Sequence, residues 1–158
     1  MPLRSDWSDA SCPIARTLDI LGDPWSLLIL REIFLGNHRF DTLRERLDVA
    51  DTVLSRRLRA LIDAGIVERV AYSGSARQRY DYTLTQAGQE TLPVLHALAR
   101  WGEVHRPREE RMGIECTGCG NTAGSADWCT TCQAPLTAQT TAWRTPNRPG
   151  DIVALAAT

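Results

Sequence analysis

Residues 50–64 read ADTVLSRRLRALIDA. At about 100° per residue, Leu54, Leu58, Leu61 and Ile62 fall on one side of a helix. Thr52, Arg56, Arg59 and Asp63 fall on the other, with Ser55 at its edge. One face is suited to dock on a core. The other offers hydroxyls and two guanidiniums to something outside. A hairpin pattern follows at once. VERVAY (67–72) alternates as a strand, Ser73-Gly74-Ser75 suits a turn, and RYDYTL (79–84) is a second strand with Tyr80, Tyr82 and Leu84 on one face. Arg77 and Arg79 stand at and just after the tip. A helix that can enter a groove, followed by a basic hairpin, is the layout of a winged helix-turn-helix that reads DNA. The expected fold class is mainly α (α+β), built on a winged helix-turn-helix domain.

Toward the N-terminus, CPIARTLDIL (12–21) carries Ile14, Leu18 and Leu21 at helical spacing, with Pro13 in its first turn. Gly22 stops that helix. Asp23 and Pro24 start the next, as N-cap and first helical residue. Its body, WSLLILREIFLG, is apolar enough to be the central helix of the core, and Gly36 ends it. FDTLRERL (40–47) is a short amphipathic helix with Phe40, Leu43 and Leu47 inward. Asp51 is the expected cap of the helix at 50–64, and Gly65 its expected C′ residue. After the hairpin, Thr85 opens a final helix to about Val104, which Pro93 should kink or restart. Its stripe of Leu92, Leu95, Leu98, Ala99, Trp101 and Gly102 is wider than one small core needs and points to a homodimer.

The 158 residues suit one domain, or one domain with a small appendage. A formal net charge of −1 means that any nucleic-acid binding must come from local placement of arginine. The chain has no lysine, which excludes a lysine nucleophile or Schiff base. The N-terminal MPLRSDWSDASCP has no signal-peptide core, and no run approaches the roughly 18 apolar residues of a membrane span. A cytoplasmic protein without a membrane role is expected. In that compartment thiols stay reduced, so the five cysteines are considered first as metal ligands or sensors.

CPIARTLDILGDPWSLLILREIFLG, RFDTLRERL, VLSRRLRALIDAGIVERV and RYDYTLTQAGQETLPVLHALARWG, in this order, resemble the HxlR-type branch of MarR-like bacterial transcription regulators. The likeness spans residues 11–105 or so. It implies a winged helix dimer on a pseudo-palindromic operator in double-stranded DNA. Gly22-Asp23-Pro24-Trp25 departs from the more usual Gly-Gly-Lys-Trp of that family and removes a basic residue. In some regulators resembling this one a cysteine at the place of Cys12 senses oxidants. Here it would open a helix, whose dipole favours a thiolate; the alternative is a small buried apolar residue.

Phosphate contacts hold a reader in register and base-edge contacts select sequence. Arg56 and Arg59 can reach guanine edges or phosphates, and Thr52 and Ser55 can serve either. Arg77 and Arg79 would reach an adjacent minor groove or the backbone, and Arg39 a phosphate; the alternative for Arg79 is packing inside the wing. Arg57, on the flank, reads better as an ion-pair partner of Asp51 or Asp63.

The second constellation is Cys116-Thr-Gly-Cys119 and Cys129-Thr-Thr-Cys132, nine residues apart. Two such knuckles supply four thiolates, which suits tetrahedral Zn²⁺ in a closed, structural site. Gly120 follows the first pair, where a tight turn is wanted, and Gln133 the second. The segment has too few apolar residues to fold without a staple, so metal binding should supply its folding energy. A redox-switched zinc site, two disulfides and an iron site are the alternatives. His38, His96 and His105 form no catalytic set, and no triad, phosphate loop or carboxylate pair stands out; no enzyme is expected.

The division expected is 1–106 for DNA binding and dimerisation, 107–113 as a linker, 114–138 as a small C-terminal zinc-ribbon-like segment, the ribbon, and 139–158 as a polar tail whose IVALAA could add a strand or stay disordered. The function expected is a homodimeric transcription repressor with a structural zinc site. The alternatives are a protein–protein adaptor and a redox-responsive regulator acting through Cys12 or the zinc thiolates. A small molecule or an oxidant is open as effector.

Overall fold

The computed structural model describes residues 6–72, 79–146 and 150–155. The expected turn at 73–75 and Arg77 lie outside the described residues. The chain divides into two compact units: residues 1–33 with 37–85, and residues 34–36 with 86–158.

The first unit follows the apolar periodicity. Helix α1 is Pro13–Leu21, α2 is Pro24–Phe34, α3 is Phe40–Leu47 and α4 is Asp51–Asp63. Asp23 caps α2, its Oδ1 accepting the Trp25 N–H at 3.0 Å. Gly36 (φ +86°) lies just past the end of α2. At the start of α4 the cap is Ala50, not Asp51, and it has no side-chain bond. Asp51 lies one residue inside, where a carboxylate still complements the helix dipole, and it faces Arg44 at 3.6 Å. The far end of α4 is a full Schellman motif. Gly65 (φ +70°) donates to Ile62 O at 2.9 Å and Ile66 to Leu61 O at 2.9 Å.

Strands β1 (Val67–Tyr72) and β2 (Arg79–Leu84) pair antiparallel from Val67↔Leu84 to Tyr72↔Arg79. His38 and Arg39, just ahead of α3, brace this hairpin. Tyr82 N–H donates to His38 O at 2.8 Å, and Arg39 bridges to Asp81. The core of the unit is Ile29, Leu30 and Ile33 of α2, Leu43 and Leu47 of α3, Leu54, Leu58 and Leu61 of α4, then Ile66, Val67 and Leu84, all buried. At roughly 1.5–3 kcal/mol for each fully buried large aliphatic side chain, this cluster is what stabilises the unit.

In the second unit the expected long helix is two: α5 (Gln86–Gln89) and α6 (Leu92–His105). Pro93 restarts the helix in the first turn of α6, where its missing N–H is tolerated. Strands β3 (Gly113–Cys116), β6 (Thr141–Arg144) and β7 (Ile152–Ala154) form an antiparallel sheet in the order β3-β6-β7. Between β3 and β6 in sequence, β4 (Trp128–Cys129) and β5 (Ala134–Pro135) form a second small hairpin.

The ribbon therefore extends beyond residue 138. Part of the expected polar tail is structural, because β6 pairs with β3 in the register Ile114↔Trp143 and Trp143 is fully buried. IVALAA does add a strand, as far as the described residues reach. The expected boundary at 106 also differs from the observed division. Helix α6 belongs with the ribbon because His96, Arg100 and Glu103 bond to residues beyond it. Among the described residues no helix is long and apolar enough to cross a membrane.

Candidate nucleic-acid interface and metal centre

Burial along α4 separates its two faces. Leu54, Leu58 and Leu61 are at most 2% exposed. Thr52, Ser55, Arg56 and Arg59 are all exposed. The outward side therefore presents two hydroxyls and two guanidiniums. Arg79 is exposed at the start of β2. Arg39, also exposed, is not a lone charge: its Nε lies 3.6 Å from Asp81 Oδ1 on β2. Arg57 is drawn the other way and pairs neither with Asp51 nor with Asp63. Its Nη2 forms an ion pair with Asp23 Oδ2 at the start of α2, and both side chains are part-buried.

One basic residue of the wing escaped the sequence reading. Arg69 on β1 lies 4.6 Å over the Tyr80 ring and is opposite Tyr82 in the ladder. Its place in the alternation of VERVAY was the available signal. Burial raises the Tyr82 phenol above its ordinary value, and the Arg69 charge opposes that.

The second unit gathers the four knuckle cysteines. Their sulfurs all lie within 4.8 Å of one another. Cys116 and Cys132 are 3.8 Å apart, and Cys119 and Cys129 3.7 Å. A tetrahedron with metal–sulfur bonds of about 2.3 Å has edges of about 3.8 Å, so the donor set fits a four-thiolate metal ion. The same separations lie well outside the roughly 2.05 Å of a disulfide bond. Both knuckles place a left-handed residue after the second cysteine, Gly120 at φ +71° and Gln133 at φ +53°. Gln133, which the spacing marks as a departure, holds this conformation with its side chain donating to Thr130 O at 2.6 Å. The Cys132 amide donates to Cys129 Sγ at 3.4 Å and is the main reason that thiol falls to about 7. Hydrogen bonding with Cys119, then Cys116, pushes Cys132 up to about 12.

The loop between the knuckles receives α6. His96 is fully buried, with Nδ1 2.7 Å from Ala126 O and Nε2 accepting from Trp143 Nε1 at 2.9 Å. A carbonyl can only accept, so the imidazole is neutral with its proton on Nδ1. Burial lowers its pKa, and the Ala126 bond opposes that. Arg100 Nη1 donates to Ala123 O at 3.2 Å. The buried Glu115 is satisfied by Arg144 at 3.1 Å and by the Thr122 hydroxyl at 3.1 and 3.2 Å. The outer side of α6 exposes Leu98, Trp101 and Val104. Cys12 is the N-cap residue of α1 and is exposed, which removes the reading of a buried apolar residue.

Residues 20–110 match the HxlR-like helix-turn-helix family. The chain belongs to that family. The match covers the exposed arginine face of α4 and the wing, and it makes this HxlR-like protein a transcriptional regulator with a helix-turn-helix DNA-binding domain. The relatives are regulators of that kind, not enzymes. An HTH-type transcriptional regulator of Mycobacterium tuberculosis, Rv3095, is 38% identical over 128 residues, 80% of each chain. The solved structure of PA1607, a candidate transcription factor, is 30% identical with a TM-score of 0.68 and covers 84% of this chain and 93% of its own. Residues up to 110 could not fill either share alone, so both likenesses reach into the ribbon unit. HypR in its reduced form, described as a redox regulator, is 29% identical with a TM-score of 0.56, over 60% of this chain and 94% of its own.

Proposed function

We propose that this HxlR-like regulator is a cytoplasmic homodimeric repressor of double-stranded DNA, reading a pseudo-palindromic operator through α4 and the wing. One observation carries the reading: Thr52, Ser55, Arg56 and Arg59 are exposed together on a helix whose opposite face is buried. Arg56 and Arg59 contact base edges, and Thr52 and Ser55 bases or phosphates. Arg39, Arg77 and Arg79 contact the backbone or the neighbouring minor groove. The dimer is supported by the apolar side chains left in solvent, Leu98, Trp101 and Val104 on α6 and, separately, Ile14 and Leu18 on α1.

Footprinting of the DNA beside the chain's own gene tests this. The expected result is two protected half-sites about 10 base pairs apart, or a multiple of that, with affinity falling steeply as salt rises. The absence of a protected site favours the adaptor reading.

The ribbon holds one Zn²⁺ on Cys116, Cys119, Cys129 and Cys132. Bound there, zinc neutralises the thiolates and fixes both knuckles, and with them the loop carrying the Ala123 and Ala126 carbonyls that accept from α6. Its role is structural, since four protein thiolates leave no open position. A metal-to-protein ratio near one in reduced protein supports this; a ratio near zero refutes it. A redox-responsive form of the same regulator is favoured by the exposure of Cys12. Mass spectrometry after mild peroxide should then find Cys12 modified and DNA affinity altered.

A further inference from the structure

Arg57 differs from the other arginines of α4. On the helical wheel it stands beside Leu61 and Leu54, away from Arg56 and Arg59. Its side chain is 19% exposed, and its Nε is buried without a hydrogen-bond partner among the described residues. The guanidinium meets Asp23 Oδ2. Asp23 is itself 24% exposed and uses Oδ1 to accept the Trp25 N–H. A single carboxylate thus closes the start of α2 and clasps the flank of α4. A second ion pair on α4, Arg44 with Asp51 at 3.6 Å, is solvent-exposed and contributes little to orientation.

The leucine face of α4 is held by burial, which is non-directional. It resists the helix leaving the core more than it resists roll about the helix axis. A guanidinium–carboxylate contact is directional, and where it is partly desolvated, as here, breaking it leaves a poorly solvated charge. A roll of about 10° moves groups at the roughly 6 Å outer radius of a helix by about 1 Å. That exceeds the tolerance of about 0.5 Å for a pre-organised site.

We propose that Asp23 is a positioning residue for DNA reading: through Arg57 it fixes the roll of α4, and so the direction in which Arg56 and Arg59 leave the helix. Arg57 does not touch DNA. The proposal rests on the reading of Arg56 and Arg59 given above.

The test is the ratio of affinity for the footprinted site to affinity for a random duplex of equal length, measured on the full chain. Asp23→Asn keeps a cap oxygen for Trp25 and removes the charge facing Arg57; Asp23→Ser does the same if the asparagine variant folds poorly. The expected result is a ratio about tenfold lower, the scale of one mispaired base contact, with random-duplex affinity unchanged. Arg57→Gln should match it, and the double variant should be no worse than either single one. The slope of affinity against salt should stay constant throughout. A lower melting temperature with an unchanged ratio overturns the proposal, as does a salt slope smaller by about one in Arg57→Gln, which marks a phosphate contact. If the wild-type chain shows no preference for any site, the underlying reading fails, and this proposal with it.

Discussion

The two units reach order by different physics. The winged unit is held by a continuous cluster of aliphatic side chains on α2, α3 and α4, closed at its helix ends by Asp23 and Gly65. The ribbon unit has short strands and a small core around Trp143, Ile114 and Leu136. It relies on four sulfurs at tetrahedral spacing and on buried polar pairs: His96 with Trp143, and Glu115 with Arg144 and Thr122. Burial of aliphatic groups tolerates small displacements. The proposed metal centre and an imidazole bonded at both nitrogens do not. The winged unit should therefore be robust and graded in its response to change, and the ribbon all-or-none.

The largest expected effect breaks the ribbon and spares the other unit. Stripping the proposed zinc with a strong chelator, or Cys129→Ser, should unfold the ribbon. The resonance of the Trp143 indole N–H should vanish while signals from the Leu54–Leu58–Leu61 cluster persist. Loss of both together contradicts the division of labour. The converse is Leu58→Ala, which should destabilise the winged unit by about 2–5 kcal/mol in thermal melts and leave the metal ratio unchanged. His96→Leu leaves the buried Trp143 N–H and the part-buried Ala126 carbonyl without their partner. It should lower ribbon stability by about 3 kcal/mol without altering the melting of the winged unit.

The same histidine predicts a pH dependence. Its folded pKa is lowered from 6.5, chiefly by burial, so the unfolded chain binds the proton more tightly. The stabilisation is fully present above pH 6.5 and is lost as pH falls from there toward the lowered folded value. Melting followed at Trp143 should show that slope in the wild type and lose it in His96→Leu. The smallest effect expected is that of Gly120→Ala. It should weaken the first knuckle by about 1–2 kcal/mol, because its φ of +71° strains any residue with a Cβ.

What could be read in advance follows the range of the interaction. The two faces of α4, the strands of the wing and the cysteine knuckles depend on neighbours within a few residues, and periodicity or spacing reveals them. Local spacing offers Arg57 an acid on its own helix, yet it meets Asp23, a residue far back in the chain whose local pattern marks only a helix cap. His96 looked like an unremarkable histidine on a helix; its partners lie 30 and 47 residues further on. Strands β6 and β7 are four and three residues long. Runs that short show no usable alternation, and it is pairing with β3 that turns TAWR into core.

The central claim is that the outward side of α4 reads DNA sequence. The direct measurement compares Arg56→Ala and Arg59→Ala with the wild type on the protected promoter site and on random DNA, with circular dichroism showing intact helices. Loss of about 1–3 kcal/mol of discrimination per arginine, with the fold retained, is the predicted result. Equal discrimination in both variants and the wild type contradicts the account.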